Sequence, residues 1–256
     1  MELEDLSIMV TRPGQQGEEL CKEIKDAGGQ PILFPTIAFG PPPDAKAFQE
    51  SIKKLGDCDW VVFISPQAVV SSVPAIRKAW PEFPPKVKFA AVGASTAAAL
   101  KKAGYNALCP SDEWGSEGLL EMEELQDIDG QRIAIVRGEG GRDLLEQIFT
   151  ERGARVMHLV AYERTLPKVD VSECQHLFRQ HRVDVVVATS FEGVQNLKKL
   201  IGVPDWQFLK EVPLIVASQR IKMMAREIGF LTIWVAANAS HDAIIDTLVD
   251  KRESLI

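Results

Sequence analysis

Cysteine is scarce and scattered: Cys21, Cys58, Cys109 and Cys174 are the four in 256 residues, and no two form a C-x-x-C pair. That spacing argues against a zinc site and for a reducing compartment, so the cytosol is the expected location. Histidine is equally sparse, and His158, His176, His181 and His241 lack metal-ligand spacing. A surface or capping role is expected of them, and no metal. Positive charge is in deficit, with 29 Lys and Arg against 36 Asp and Glu, a formal net charge of -7. This excludes a bulk affinity for nucleic acid or anionic membrane but leaves room for an anionic small ligand in a locally basic cleft. No apolar run approaches the ~20 residues of a membrane span. The start, MELEDLSIMV, has neither the charged nor the apolar region of a secretory signal.

Hydrophobic residues make up 46% of the chain, ample for one large or two small cores. Their pattern is clearest from Arg132 to Arg164. Ile133 to Val136 reads as a strand, Gly138, Gly140 and Gly141 break it, Asp143 to Arg152 has helical spacing, and Val156 to Tyr162 returns as a strand. The same grammar runs through the rest. Strands are expected at Leu6 to Val10, Pro31 to Phe34, Trp60 to Ile64, Phe89 to Val92, Val183 to Ala188, Leu214 to Ala217 and Ile233 to Ala236. Helices are expected at Glu18 to Ala27, Ala45 to Leu55, after Ser65-Pro66-Gln67, at Ala97 to Ala103, Ser172 to Gln180, from Thr189-Ser190 through Ile201, around Met223 to Ile228, and at Asp242 to Asp250. Pro110 to Trp114 reads as a loop, and Ser116 as an N-cap for Leu119 to Leu125. Pro35 to Pro43, with four prolines, is an extended connector and a domain boundary, and Thr165 to Val171 is a second connector. Alternating short strands and helices predict an α/β fold of parallel sheets covered on both faces.

The chain also repeats itself. TRPGQQGEELCKEIKDAGG parallels RGEGGRDLLEQIFTERGA, WVVFISPQAVV parallels DVVVATSFEGV, and FAAVGASTAAALKKAGYNALCP parallels LIVASQRIKMMAREIGFLTIWV. Ser190 minus Ser65 is 125, Ser218 minus Gly93 is 125, and Arg137 minus Thr11 is 126. Such a length suits two similar α/β domains, not a solenoid. Each domain is then either a contiguous half or one that exchanges its first unit with the other half.

In open parallel sheets ligands bind beyond the carboxyl ends of the strands, where helix amino termini present free N–H groups. The residues there are Thr11-Arg12, Ser65, Gly93 to Thr96, Arg137 to Arg142, Thr189-Ser190 and Ser218 to Arg220. Two such rims across a cleft, with Arg12, Arg137, Arg142 and Arg220, would suit a multiply anionic ligand. At any single position turn or cap chemistry is the commoner role, and Arg137 and Arg142 also have Glu139, Glu146 and Glu163 as surface partners. Gly138-x-Gly140-x-x-Asp143 is a poor dinucleotide fingerprint, because Asp stands where Gly or Ala belongs. Ser65 and Ser190 lack a G-x-S-x-G context, which speaks against a serine nucleophile.

VTRP, FISPQAV, AVGASTAAAL, RGEGGRDLL followed by AYER, TSFEGV, and SQR followed by a helix and GF together resemble the uroporphyrinogen-III synthase family, in order, over nearly the whole chain. The resemblance implies two similar flavodoxin- or Rossmann-like domains joined by a two-stranded β-ladder, in the exchanged form. Residues 1–36 would join 168–256, 42–161 would form the other domain, and 37–41 and 162–167 would be the linker strands. It further implies a cytoplasmic, monomeric hydro-lyase of tetrapyrrole and heme biosynthesis that needs no cofactor. Linear hydroxymethylbilane would be held in the inter-domain cleft and closed, with loss of water and inversion of the terminal pyrrole. Tyr162 occupies the family's tyrosine position and becomes the proton-donor candidate. The binding set is Thr11, Arg12, Ser65, Thr96, Arg137, Gly138, Arg142, Thr189, Ser190, Ser218 and Arg220. Where the first half has Thr96 the second has Ile221, a departure that leaves Ser218 and Arg220 as the nearest polar groups. The expected partner is a linear tetrapyrrole, with transient contact to the enzyme that supplies it. A two-domain anion-binding protein without turnover, or a regulatory module on a duplicated fold, stands as the alternative.

Overall fold

The computed structural model describes residues 2–111, 115–141 and 143–255. In chain order its elements are β1 (Ser7–Val10), α1 (Gly14–Asp26), β2 (Gln30–Leu33), β3 (Ala38–Gly40), α2 (Ala45–Lys54), β4 (Trp60–Phe63), α3 (Pro66–Ala79), β5 (Lys88–Ala91), α4 (Ala94–Lys102), α5 (Ser116–Glu121) and β6 (Arg132–Gly138). The remainder are α6 (Leu144–Glu151), β7 (Arg155–Thr165), α7 (Ser172–Arg179), β8 (Val185–Ala188), α8 (Phe191–Ile201), α9 (Val203–Leu209), β9 (Leu214–Val216), α10 (Gln219–Glu227), β10 (Ile233–Val235) and α11 (His241–Lys251).

They form two compact units, Met1–Ala38 with Thr165–Ile256, and Phe39–Arg164. One unit carries the sheet β2-β1-β8-β9-β10, with every neighbouring pair parallel. The other carries β3-β7-β6-β4-β5, in which β7-β6, β6-β4 and β4-β5 are parallel and β3 is the edge beside β7. A bridge from Ala90 to Leu108 extends this second sheet at its far side.

The repeat explains the pairing. The start of α10 lies 125 residues beyond that of α4 (219 − 94), and the start of α11 lies 125 beyond that of α5 (241 − 116). In those terms β6 and β7 are the counterparts of β1 and β2. Yet β1 and β2 pair with β8, while β6 and β7 pair with β4. Each half therefore gives its first strand pair to the other half's sheet.

Burial on both faces is why the strands are continuous apolar runs. In β4, Val61 and Phe63 face one core with Val69, Val73 and Ile76 of α3. Trp60 and Val62 face the opposite core with Leu145 and Phe149 of α6. The first unit repeats this, with Val186 and Ala188 against Val194, Leu197 and Ile201 of α8, and Val185 and Val187 against Leu20 and Ile24 of α1.

Several elements depart from the sequence reading. The helix α1 begins at Gly14, four residues before Glu18, because Gly14 itself adopts a φ of +56° and lets the turn close directly after Pro13. Ser116 is not an N-cap: it is the first residue of α5, behind Gly115 at a φ of +118°, and the helix ends at Glu121. Leu119 to Leu125 is accordingly broken, its end a short 3-10 turn over Glu123–Leu125. The helix α9 has no counterpart among the elements expected from sequence; Pro204 stands in its first turn, where no N–H is needed.

Candidate functional site

At the strand pairs β1-β8 and β6-β4 the helices that follow pack on opposite faces of the sheet. In one unit α1 and α8 diverge from β1 and β8, and in the other α6 and α3 diverge from β6 and β4. Between such diverging connections a crevice opens at the carboxyl ends, lined by whatever residues follow the strands. Each unit has one such switch point, created by the exchange of strand pairs.

In the unit of Phe39–Arg164 the switch point gathers Ser65, Tyr162, Arg137 and Gly138. Ser65 caps α3, its Oγ accepting the Ala68 N–H at 3.1 Å. The same Oγ lies 3.2 Å from the Tyr162 hydroxyl, and either oxygen can be the donor. The Tyr162 ring is 1% exposed. It packs edge-on to Phe39 at 5.3 Å between centroids. A Cβ on Gly138 would stand 2.6 Å from that ring, so glycine is needed there for close approach. Register shifts between Arg137 and Gly138, and the Glu139 N–H donates to the Tyr162 carbonyl at 2.8 Å.

Arg137 does not pair with Glu139, Glu146 or Glu163 on a solvated surface. It is 5% exposed, and its Nη1 donates to Asp143 Oδ1 at 2.9 Å while lying 3.3 Å from His158 Nδ1. Its Nη2 donates to the Gly140 carbonyl at 2.5 Å. His158, expected as a surface or capping residue, is half-buried in this network, with Nε2 3.1 Å from Glu146 Oε2. Arg142 lies outside the described residues. Thr96 is a second correction: it is buried in the first turn of α4, its N–H on the Gly93 carbonyl at 3.0 Å, while Ala94 and Ser95 are the exposed residues of that turn.

In the other unit the switch point holds Thr11, Ser190 and Thr189. Ser190 caps α8 by accepting the Gly193 N–H at 3.1 Å. Thr11 is buried, its Oγ1 donating to the Val187 carbonyl at 2.9 Å, so the hydroxyl ties β1 to β8. Arg12 is similarly withdrawn, 8% exposed, with Nη1 donating to the Ala239 carbonyl at 2.9 Å and Nη2 to Gln16 at 3.0 Å. Burial pushes its guanidinium below the ordinary value, with Glu19 opposing the shift. Half-buried Ser218 caps α10, accepting from the Ile221 N–H at 3.3 Å, and Arg220 in its first turn is exposed. Ile221 packs against the core of this unit, so the position matching Thr96 has become structural.

Two residues at this switch point escaped the sequence reading. Thr36, fully buried, gives its N–H to the Thr11 carbonyl at 3.2 Å, and the Asn196 amide donates to the Thr36 carbonyl at 3.0 Å. Both carried a signal. Tyr162 minus Thr36 is 126, so the repeat places Thr36 where the other unit has its tyrosine. Asn196 is a polar residue on the stripe formed by Gly193, Val194, Leu197 and Ile201, where an amide needs a partner.

The chemical capacity of the two rims differs. One presents cap hydroxyls and an exposed arginine. The other joins a hydroxyl pair, Ser65 and Tyr162, to a glycine loop braced by a buried arginine. Among the described residues no helix is long and apolar enough to cross a membrane.

The family described as Uroporphyrinogen-III synthase HemD matches residues 18–246. The chain is 36% identical over 250 residues to the uroporphyrinogen-III synthase of Escherichia coli K12, covering 95% of this chain and 100% of that one. It is 34% identical over 247 residues to the uroporphyrinogen-III synthase of Salmonella typhimurium, with 95% and 100% covered. A crystal structure of a mutant uroporphyrinogen III synthase from the extremely thermophilic bacterium Thermus thermophilus shares the fold with a TM-score of 0.62 at 18% identity, over 97% of this chain and 99% of that one. The switch-point architecture and these full-length matches together place the chain in the uroporphyrinogen-III synthase family.

Proposed function

We propose that this chain closes linear hydroxymethylbilane to uroporphyrinogen III, expelling the terminal hydroxyl as water and inverting the last pyrrole ring. The observation that carries the reading is the full-length match at 36% identity to a uroporphyrinogen-III synthase. An anion-binding protein without turnover finds no favouring observation.

The chemistry fits what the rims offer. A linear bilane that loses its hydroxyl leaves a cationic azafulvene, and ring closure without guidance joins the wrong carbon. The protein's task is to fold a flexible polycarboxylate and to protonate a leaving oxygen, not to supply a strong nucleophile. Backbone N–H groups of Gly140 and Gly141, the cap hydroxyls Ser190 and Ser218, Thr189 and exposed Arg220 are the proposed carboxylate partners. Thr11, Arg12 and Thr96 act behind them by holding the backbone in place. Tyr162 is the proposed proton donor, acting through Ser65, because its own ring is buried and the Ser65 hydroxyl lies 3.2 Å away. A cofactor-free monomer in the cytoplasm, meeting its supplying enzyme transiently, completes the proposal.

The test is direct: supply fresh hydroxymethylbilane, oxidise the products and separate the isomers. Isomer III in excess over a no-enzyme control is expected; isomer I alone sinks the reading. Tyr162→Phe keeps the ring against Phe39 and deletes the hydroxyl. Its kcat should fall about a hundredfold or more, the scale of general-acid catalysis, with an unchanged melting temperature. Undiminished turnover would reduce Tyr162 to packing.

A further inference from the structure

We propose that Arg137 is a positioning residue, not a substrate ligand: its buried guanidinium sets the Gly138 to Gly141 loop in the shape that receives a substrate carboxylate. The proposal rests on the cyclising function argued above for what the loop binds, and on the geometry alone for how the loop is held.

Arg137 is 5% exposed, and both terminal nitrogens of its guanidinium are engaged within its own unit. One arm holds Asp143 at the entrance of α6, 2.9 Å away, and the other holds the Gly140 carbonyl at 2.5 Å. His158, on β7, meets the same Nη1 that holds Asp143, its Nδ1 3.3 Å away. The planar fork thus ties the end of β6 to the loop, the loop to the helix, and the whole to the neighbouring strand, a task for which lysine has the wrong shape.

The loop needs such a brace. Gly140 and Gly141 adopt φ of +70° and +104°, and glycines lose more freedom on ordering than any other residue. A Cβ at Gly141 would stand 3.0 Å from Arg137 Nη2, so the loop is wrapped directly on the guanidinium. The Glu139 N–H is spent on the Tyr162 carbonyl. The N–H groups of Gly140 and Gly141, both exposed residues, donate to no acceptor among the described residues. Two successive free N–H groups, held from beneath by a cation, suit a carboxylate oxygen. They stand a few residues along the chain from Gly138, against which the Tyr162 ring packs. Arg137 itself has no free face to offer.

The experiment pairs R137Q, D143N and the double variant. Without substrate, backbone ¹⁵N relaxation should show ordered Gly140 and Gly141 amides in the wild type and a clear loss of order in either single variant. With hydroxymethylbilane, KM should rise about tenfold in R137Q and about threefold in D143N, with kcat within about twofold, and the double variant should be no worse than R137Q. If Arg137 instead met substrate directly, D143N would leave KM unchanged or lower it by freeing the guanidinium, which overturns the proposal. A fall in melting temperature with KM and loop order unchanged overturns it equally. The Asp143 side chain is 71% exposed, so D143N keeps the test available should R137Q fail to fold. Should the wild type yield only isomer I, the cyclising function fails, while relaxation still decides whether Arg137 fixes the loop.

Discussion

At the scale of single residues, burial decides which side chains can react. Cys58 and Cys174 are buried, and their thiols are pushed up to about 11 from 9.0 by burial first and by neighbouring carboxylates second. An unfolded thiol releases its proton near the ordinary value, while these hold theirs to about 11. Between those values the unfolded chain binds fewer protons, so stability is fully present below pH 9 and falls as pH rises towards 11. Denaturant midpoints measured across that window should decline, and Cys58→Ala should make the decline shallower. A flat profile would show that these thiols titrate alike in both states. Burial also shows what residue-level reading does not carry. Arg12, Arg137, Thr11 and Thr96 have the right chemistry at the right ends of strands, yet each is at most 8% exposed. A string of letters shows that an arginine follows a strand, not that its guanidinium turns back under the loop.

At the scale of elements, the working parts are strand ends and caps. Ser65, Ser190 and Ser218 each accept an N–H of their own helix, so the cap reading and the rim reading describe the same oxygens. Close approach is the other local constraint. In Gly138→Ala the new methyl would stand 2.6 Å from the Tyr162 ring, forcing the ring or the end of β6 aside. Overpacking of this kind costs roughly 1–3 kcal/mol, which for a chain of this size lowers the melting temperature by about 2–10 °C. Turnover should fall as well, because the displaced ring loses Ser65. A variant with wild-type melting and turnover would refute the tight fit. Element type was readable where both faces of a strand are buried, as in WVVF and VVVA. It did not reach α9, to which the sequence pattern assigned no element, and it failed at Ser116, which lies one residue inside its helix.

At the scale of the whole molecule, the exchange of strand pairs makes one unit continuous in sequence and the other not. The segment 39–164 contains a complete sheet and both of its cores, so expressed alone it should fold cooperatively by circular dichroism and denaturant titration. The segment 165–256 lacks β1 and β2, leaving β8 an edge without β1 and Val185 and Val187 without the α1 side of their core, and should remain unfolded unless 1–38 is supplied. Independent folding of 165–256 would contradict the observed pairing.

The sequence by itself determined the class of fold, the duplication, the strand-end positions of Ser65, Gly138 and Ser190, and the family. These follow from apolar periodicity, glycine and proline punctuation, a constant offset of 125 to 126 and ordered motifs, all local or one-dimensional properties. Only the tertiary structure decided which strands pair, because contiguous and exchanged halves bury the same apolar faces and are written by the same letters. It alone also folded the Arg137 guanidinium onto Asp143 and the Gly140 carbonyl and brought Ser65 to Tyr162, since a contact across 97 residues exists only once β4, β6 and β7 lie side by side.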